Sequence, residues 1–321
     1  MAPPITPPMT PPSTSRLDSL AEDQMHACSE DLKQFSESGP LAEKLAAAKN
    51  IVEYLANPER TDQELKDFKA PNGFTPLFFA AISCGVSEDA RIDLINKLYS
   101  ILEPEKFISH CTDKLDESEL HFEVGSKKMP LANNDLPAHG AIFTGSLGVL
   151  KTLLGFEENA TGMIGCGVNN TGNNYFNLAA SQQIDILNYL CETFRGREGY
   201  EVLLNHQTDQ AQTPLHQVAR SGKDDKLQVF AKLLVEGASK SLAAINHDDM
   251  TPLDCLALET DAEYEKVQTA VSDCIDQMDL ATDVKDAKKK EVFSTLDEAY
   301  KTYKDNKKQL SARVQGSNIH P

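Results

Sequence analysis

Thr213-Pro214-Leu215-His216-Gln217-Val218-Ala219 is the stretch that decides how this chain is read. A threonine hydroxyl can accept a hydrogen bond from a backbone N–H two or three residues on, and proline suits the first helical turn, where its missing N–H would have had no partner. The stretch therefore opens a short helix. Working outward, the pattern returns in whole or in part at Phe74-Thr75-Pro76-Leu77-Phe78-Phe79-Ala80-Ala81, Leu136-Pro137-Ala138-His139-Gly140-Ala141-Ile142, Asn174-Tyr175-Phe176-Asn177-Leu178-Ala179-Ala180 and Thr251-Pro252-Leu253-Asp254-Cys255-Leu256-Ala257. The starts fall at 75, 136, 174, 213 and 251, and the last three gaps are 38, 39 and 38 residues. So regular a spacing indicates a repeated structural unit.

Each start is followed by a second apolar run at helical spacing: Ile92, Leu94, Ile95 and Leu98; Val149, Leu150, Leu153 and Leu154; Ile186, Leu187 and Leu190; Val229, Phe230, Leu233 and Leu234. A unit of helix, turn and helix results. Turn-forming residues close the units at Ile108–Asp113, Val168–Gly172, Leu204–Asp209 and Ile245–Asp249, with Asn205 and Asn246 in matching places. The wide first gap holds an insertion, residues 114–135, whose Leu120–Val124 and Met129–Ala132 runs flank Gly125-Ser126-Lys127-Lys128 and predict a β-finger with a basic tip.

The units resemble ankyrin repeats, in which Thr-Pro-Leu-His opens the first helix, a Leu-Leu pair marks the second, and an Asn-x-x-Asp hairpin leads onward. Their period is longer than the family's, and the third unit departs from its motif. The resemblance implies an all-α, ankyrin-type helix-turn-helix solenoid with hairpin fingers, and a protein-protein interaction module that binds a protein partner through its concave face. It carries the contact positions onto Phe74, Ser83, Phe143, Thr144, Ser181, Gln182, Gln210, Arg220, Met250 and Glu259, with Phe74, Phe143 and Met250 as apolar anchors and Lys127 and Lys128 as finger contacts. Lengthened units between helical caps are also similar to the ankyrin proteins that intracellular bacteria deliver into host cells, which would place the chain in a host cytosol. The alternative is an enzyme whose site lies in a cap or in the 114–135 insertion.

The flanks complete the organisation. Residues 1–15 carry six prolines and no apolar periodicity, the composition of a disordered tail. Residues 16–69 form an N-terminal helical cap, in which Thr61-Asp62-Gln63-Glu64 is a capping box. The repeats occupy 70–260, a C-terminal helical cap 261–315, and a disordered end 316–321. Within 283–313 nine Lys/Arg face six Asp/Glu, against a net charge of −18 for the whole chain.

Such an acidic surface repels phosphate backbones, so nucleic acid is not an expected partner. No run of eighteen apolar residues predicts a membrane span, and membrane contact is not expected. The seven cysteines are scattered and form no C-x-x-C pair, which suits a reducing, cytoplasmic compartment. Neither the histidines nor the Gly162, Gly165 and Gly167 cluster has the spacing of a metal site or a phosphate loop, so no cofactor, metal or catalytic residue is assigned. His139 and His216 are read as structural, each bonding neighbouring backbone.

Overall fold

The structure, a computed structural model, describes residues 28, 30–32, 39–68, 70, 74–83, 85–112, 121–124, 127–130, 136–160, 167–169, 171–180, 184–222 and 224–317. Among the described residues, regular structure is helical apart from three short strands. The expected tail at 1–15 lies outside the described residues.

Five successive helix pairs follow the N-terminal helices Leu41–Ala56 and Asp62–Asp67: Pro76–Ile82 with Glu88–Ile101, Pro137–Phe143 with Leu147–Ala160, Tyr175–Ala180 with Ile184–Phe194, Pro214–Arg220 with Lys226–Glu236, and Pro252–Leu256 with Asp261–Asp276. The short first helices touch one another in chain order, from Leu41–Ala56 through to Pro252–Leu256. They can do so because the inward positions are small: Ala80, Ala81, Ala138, Ala141, Ala179, Ala180 and Ala219 are all buried. At Gly140 a β-carbon would sit 2.8 Å from a methyl of Ile82, so the Pro76–Ile82 and Pro137–Phe143 helices meet as closely as backbone allows. The leucines and valines expected on the second helices are buried as well, and one continuous core runs from Cys28 to Tyr303.

The lengthening of the units takes the form of an added helical turn before the next first helix. Pro104–Thr112, Tyr200–Leu204 and the 3-10 helix Ala238–Ala243 are these additions. The first corrects the expected turn at Ile108–Asp113: residues 108–112 are helical, with Phe107 and Cys111 buried on its inner face. Asp113 lies outside the described residues.

Thr61 caps Asp62–Asp67 as the sequence predicts, its hydroxyl accepting from the Glu64 N–H while the Glu64 carboxylate accepts from the Thr61 N–H at 2.7 Å. The expected finger is present as strands His121–Val124 and Lys127–Pro130, paired antiparallel with Val124 opposite Lys127 and Glu123 opposite Lys128. A third strand, Gly39–Pro40, joins the finger in parallel, a contact the sequence reading did not foresee.

The last helix, Thr282–Ser317, runs two residues into the end expected to be disordered, and 318–321 lie outside the described residues. It packs Val292, Leu296, Tyr300 and Tyr303 against the final pair. Tyr264 and Tyr300 stack with centroids 3.7 Å apart and planes 3° from parallel. Their hydroxyls donate to Asp297 and Asp261 respectively, and Tyr303 donates to the carbonyl of Leu258. Among the described residues no helix is long and apolar enough to cross a membrane.

Candidate interaction surface

The first helices are positioned by a hydrogen-bond exchange that also links neighbouring pairs. In the fourth pair, Nδ1 of His216 accepts from the Thr213 N–H at 3.2 Å, which leaves Nε2–H free to donate to the Met250 carbonyl at 3.0 Å in the next turn. Burial depresses the His216 pKa, because a proton on Nδ1 would face that N–H donor without solvent. His139 makes the same two contacts, with the Leu136 N–H at 3.0 Å and the Gly167 carbonyl at 3.3 Å. Both histidines thus bond neighbouring backbone, as the sequence suggests.

The irregular third pair preserves this chemistry with different letters. Asn174 and Asn177 exchange backbone N–H and side-chain oxygen at 2.9 and 3.2 Å, and the Asn177 amide reaches the His206 and Gln212 carbonyls, both at 3.4 Å. The fifth pair departs in another way. Asp254 accepts from Thr251 N–H and Oγ1 at 2.8 and 2.6 Å, but a carboxylate has no donor to send onward.

Three turns then share one set of main-chain and capping bonds. Asn169, Thr208 and Asn246 each donate a backbone N–H to the carbonyl four residues on, at 3.0, 2.9 and 3.0 Å. Their side-chain oxygens accept from the N–H groups two and four residues on. Three residues after each comes a left-handed backbone: Gly172 (φ 73°), Ala211 (φ 54°) and Asp249 (φ 58°). The register of the expected Leu204–Asp209 turn alone is corrected, by three residues, because Thr208 rather than Asn205 occupies the place held by Asn169 and Asn246.

The turns also bond to each other. The Asp209 N–H donates to the Thr171 carbonyl at 3.3 Å, and the His247 N–H to the Gln210 carbonyl at 3.2 Å. The His206 ring adds a bond from Nε2 to the Gly172 carbonyl at 2.8 Å. A row of turns results, held in register by one main-chain bond per junction.

Several residues expected at a binding face fall along or beside this row. Gln210 and Arg220 are exposed, and Arg220 is 2.8 Å from Asp248 of the following turn. Met250, half-buried, and Glu259, exposed, line one cavity of about 440 Å³ with Asp248, Asp249, Tyr303 and Lys307. The last helix therefore supplies part of this surface through Tyr303 and Lys307. Phe143 stands apart from the cavity and is 44% exposed, large for an aromatic side chain. Thr144 is half-buried and its hydroxyl donates to the Ala81 carbonyl at 3.0 Å, tying two first helices together.

Two expected contacts are corrected. Phe74 is 4% exposed and packs on Phe78 and Phe79 with centroids 5.2 and 5.8 Å away, so it anchors the core rather than a partner. Ser83 is fully buried, and its hydroxyl serves the carbonyls of Ala48 and Phe79 at 2.9 and 2.7 Å. Ser181 and Gln182 lie outside the described residues. Lys127 and Lys128, expected in the turn as a basic tip, are instead the first two residues of the second finger strand, opposite Val124 and Glu123, because the strand pairing extends to them.

A second groove, of about 840 Å³, runs over the second helices Ile184–Phe194, Lys226–Glu236 and Asp261–Asp276. Beneath it the carboxylate of Glu236, only 3% exposed, takes Arg195, Lys232 at 2.9 Å and the Tyr200 hydroxyl at 2.9 Å. Burial pushes the Glu236 pKa up, and hydrogen bonds from Arg195 and Lys232 more than reverse this, leaving it below the usual range. Burial and the nearby Glu236 charge push the Cys191 thiol up to about 12, which keeps it protonated and unreactive near neutrality. Among the described residues no group of three His, Cys, Asp or Glu could hold a metal ion. No family model matches the chain, and no curated protein matches it.

Proposed function

We propose that the chain is an ankyrin-type solenoid that binds a protein partner along the concave face formed by its turns and first helices. The observation that carries this reading is the row of three turns, alike in their main-chain bonds and in the capping bonds of Asn169, Thr208 and Asn246, which are joined to one another through main chain. Gln210, Arg220, His247 and Asp249 are all exposed along it. A rigid row with varied, outward side chains suits recognition of another protein, since backbone fixes the spacing and side chains set the choice. Phe143 adds an exposed aromatic anchor of the kind that dominates binding energy.

The test is crosslinking by position. A photoreactive amino acid placed at Phe143 or Gln210 should trap one partner from cell extract, whereas the same residue at Val202, exposed on an added turn, should not. Equal yields from all three positions would refute the concave-face reading.

A further inference from the structure

The row of turns has an open end. At each earlier junction, the carbonyl two residues after the turn's first position accepts an N–H from the next turn: Thr171 from Asp209, and Gln210 from His247. The equivalent carbonyl in the last turn belongs to Asp248, and among the described residues no hydrogen bond falls on it. The next unit is replaced there by the Thr282–Ser317 helix, which touches the last pair through Tyr303 and leaves the 440 Å³ cavity beside the turn.

The chemistry around that open position is one-sided. Asp254, where the second, third and fourth pairs carry His139, Asn177 and His216, sends no donor outward. Asp249 and Glu259 are exposed on the cavity wall, Asp248 is paired with Arg220, and Lys307 lies across from them with Nζ 3.3 Å from the Leu258 carbonyl. Met250 and Tyr303 give the cavity an apolar and aromatic side, suited to the methylene stem of a long cationic side chain. The site thus offers acceptors, negative charge and a surface for aliphatic carbon.

We infer that this open end takes an extended, arginine- or lysine-bearing segment of the partner, which donates a backbone N–H to the Asp248 carbonyl as each turn does to the one before it. The inference rests on the concave-face reading and specifies the chemistry of its partner. Main-chain pairing holds the segment in line with the row, and its cationic side chains meet Asp249 and Glu259.

The probe is a fluorescein-labelled nonapeptide of alternating arginine and threonine, measured by anisotropy against the full chain. It should bind, and its counterpart with glutamate for arginine should not. The double variant Asp249→Asn, Glu259→Gln should weaken binding at least tenfold; asparagine tolerates the left-handed backbone at 249, so the fold is kept, as circular dichroism would verify. An acidic pair elsewhere, Asp185→Asn with Glu198→Gln, should change it less than twofold. Two N-methylated peptides, blocking alternate sets of amides, should differ, with one set losing at least tenfold. Absence of binding, equal effects of the two acidic pairs, or full binding by both N-methylated peptides would overturn the inference. If crosslinks from Phe143 and Gln210 persist while the peptide fails, only this inference falls; if the crosslinks fail, the concave-face reading falls with it.

Discussion

The imidazole Nε2–H of His216 donates to the backbone carbonyl of Met250, and so one ring both caps its own helix and holds the turn of the next pair. Its pKa is depressed in the folded chain, below the 6.5 of an unfolded one. The unfolded form then binds more protons on acidification, so the contribution of His216 is complete above about pH 6.5 and is lost as pH falls through the lower folded value. Melting temperature should drop between pH 7 and pH 5. In His216→Asn, built on the precedent of Asn177, the drop should be shallower; an unchanged slope in thermal melts would exclude His216 as its source.

Turn geometry gives a pair of opposite expectations. Gly172 combines φ 73° with a neighbour so close that a β-carbon would lie 2.5 Å from the Asp209 nitrogen. Gly172→Ala should therefore destabilise by more than the roughly 1–2 kcal/mol of a left-handed alanine. Ala211 already bears that strain at φ 54°, and Ala211→Gly should recover up to about 1 kcal/mol after the entropy of glycine is subtracted. Urea midpoints moving in the same direction for both variants would refute the shared geometry.

The buried carboxylate of Glu236 gathers Lys232 from its own helix, Arg195 from just past the Ile184–Phe194 helix and Tyr200 from the Tyr200–Leu204 helix. Removing it leaves Lys232, itself 18% exposed, without its counter-charge, and Glu236→Ala should cost about 3–5 kcal/mol. Glu201 and Lys240 make an ion pair on the open surface, and Glu201→Ala should leave the denaturation midpoint nearly unmoved. Comparable losses from the two alanine variants would show that burial does not set the difference.

Phe143 and Leu153 separate recognition from folding. Phe143→Ala should change stability by no more than about 0.5 kcal/mol while reducing crosslinking to the partner. Leu153 is fully buried, and Leu153→Ala should cost about 2–5 kcal/mol. If the two melt alike, Phe143 belongs to the core.

The helix pairs were legible because capping and apolar spacing are local signals: Thr213, Pro214 and the Leu233–Leu234 pair announce their roles within a few residues. The turns were harder, since Thr208 does with a hydroxyl what Asn169 and Asn246 do with an amide oxygen, and no single letter marks the position. Phe74 was misread for a related reason. It precedes the Thr75 cap, and a large apolar residue there folds back on the fourth helical position, here Phe79, as a hydrophobic staple. Ser83 looked polar and free, but its hydroxyl is consumed by carbonyls of two helices. The cavity at Met250 and Glu259 was half visible: its turn side follows from the repeat, whereas Tyr303 and Lys307 arrive from far along the chain.

The tyrosine stack at the last helix has an optical consequence. The chain contains eight tyrosines and no tryptophan, so its ultraviolet emission is tyrosine light alone. Tyr264 and Tyr300 lie face to face, each with its hydroxyl on a carboxylate, an arrangement that quenches emission by proton acceptance in the excited state and by ring contact. Release of Thr282–Ser317 from the final pair would separate the rings and brighten the protein, so the seating of this helix can be followed in real time without attaching a dye.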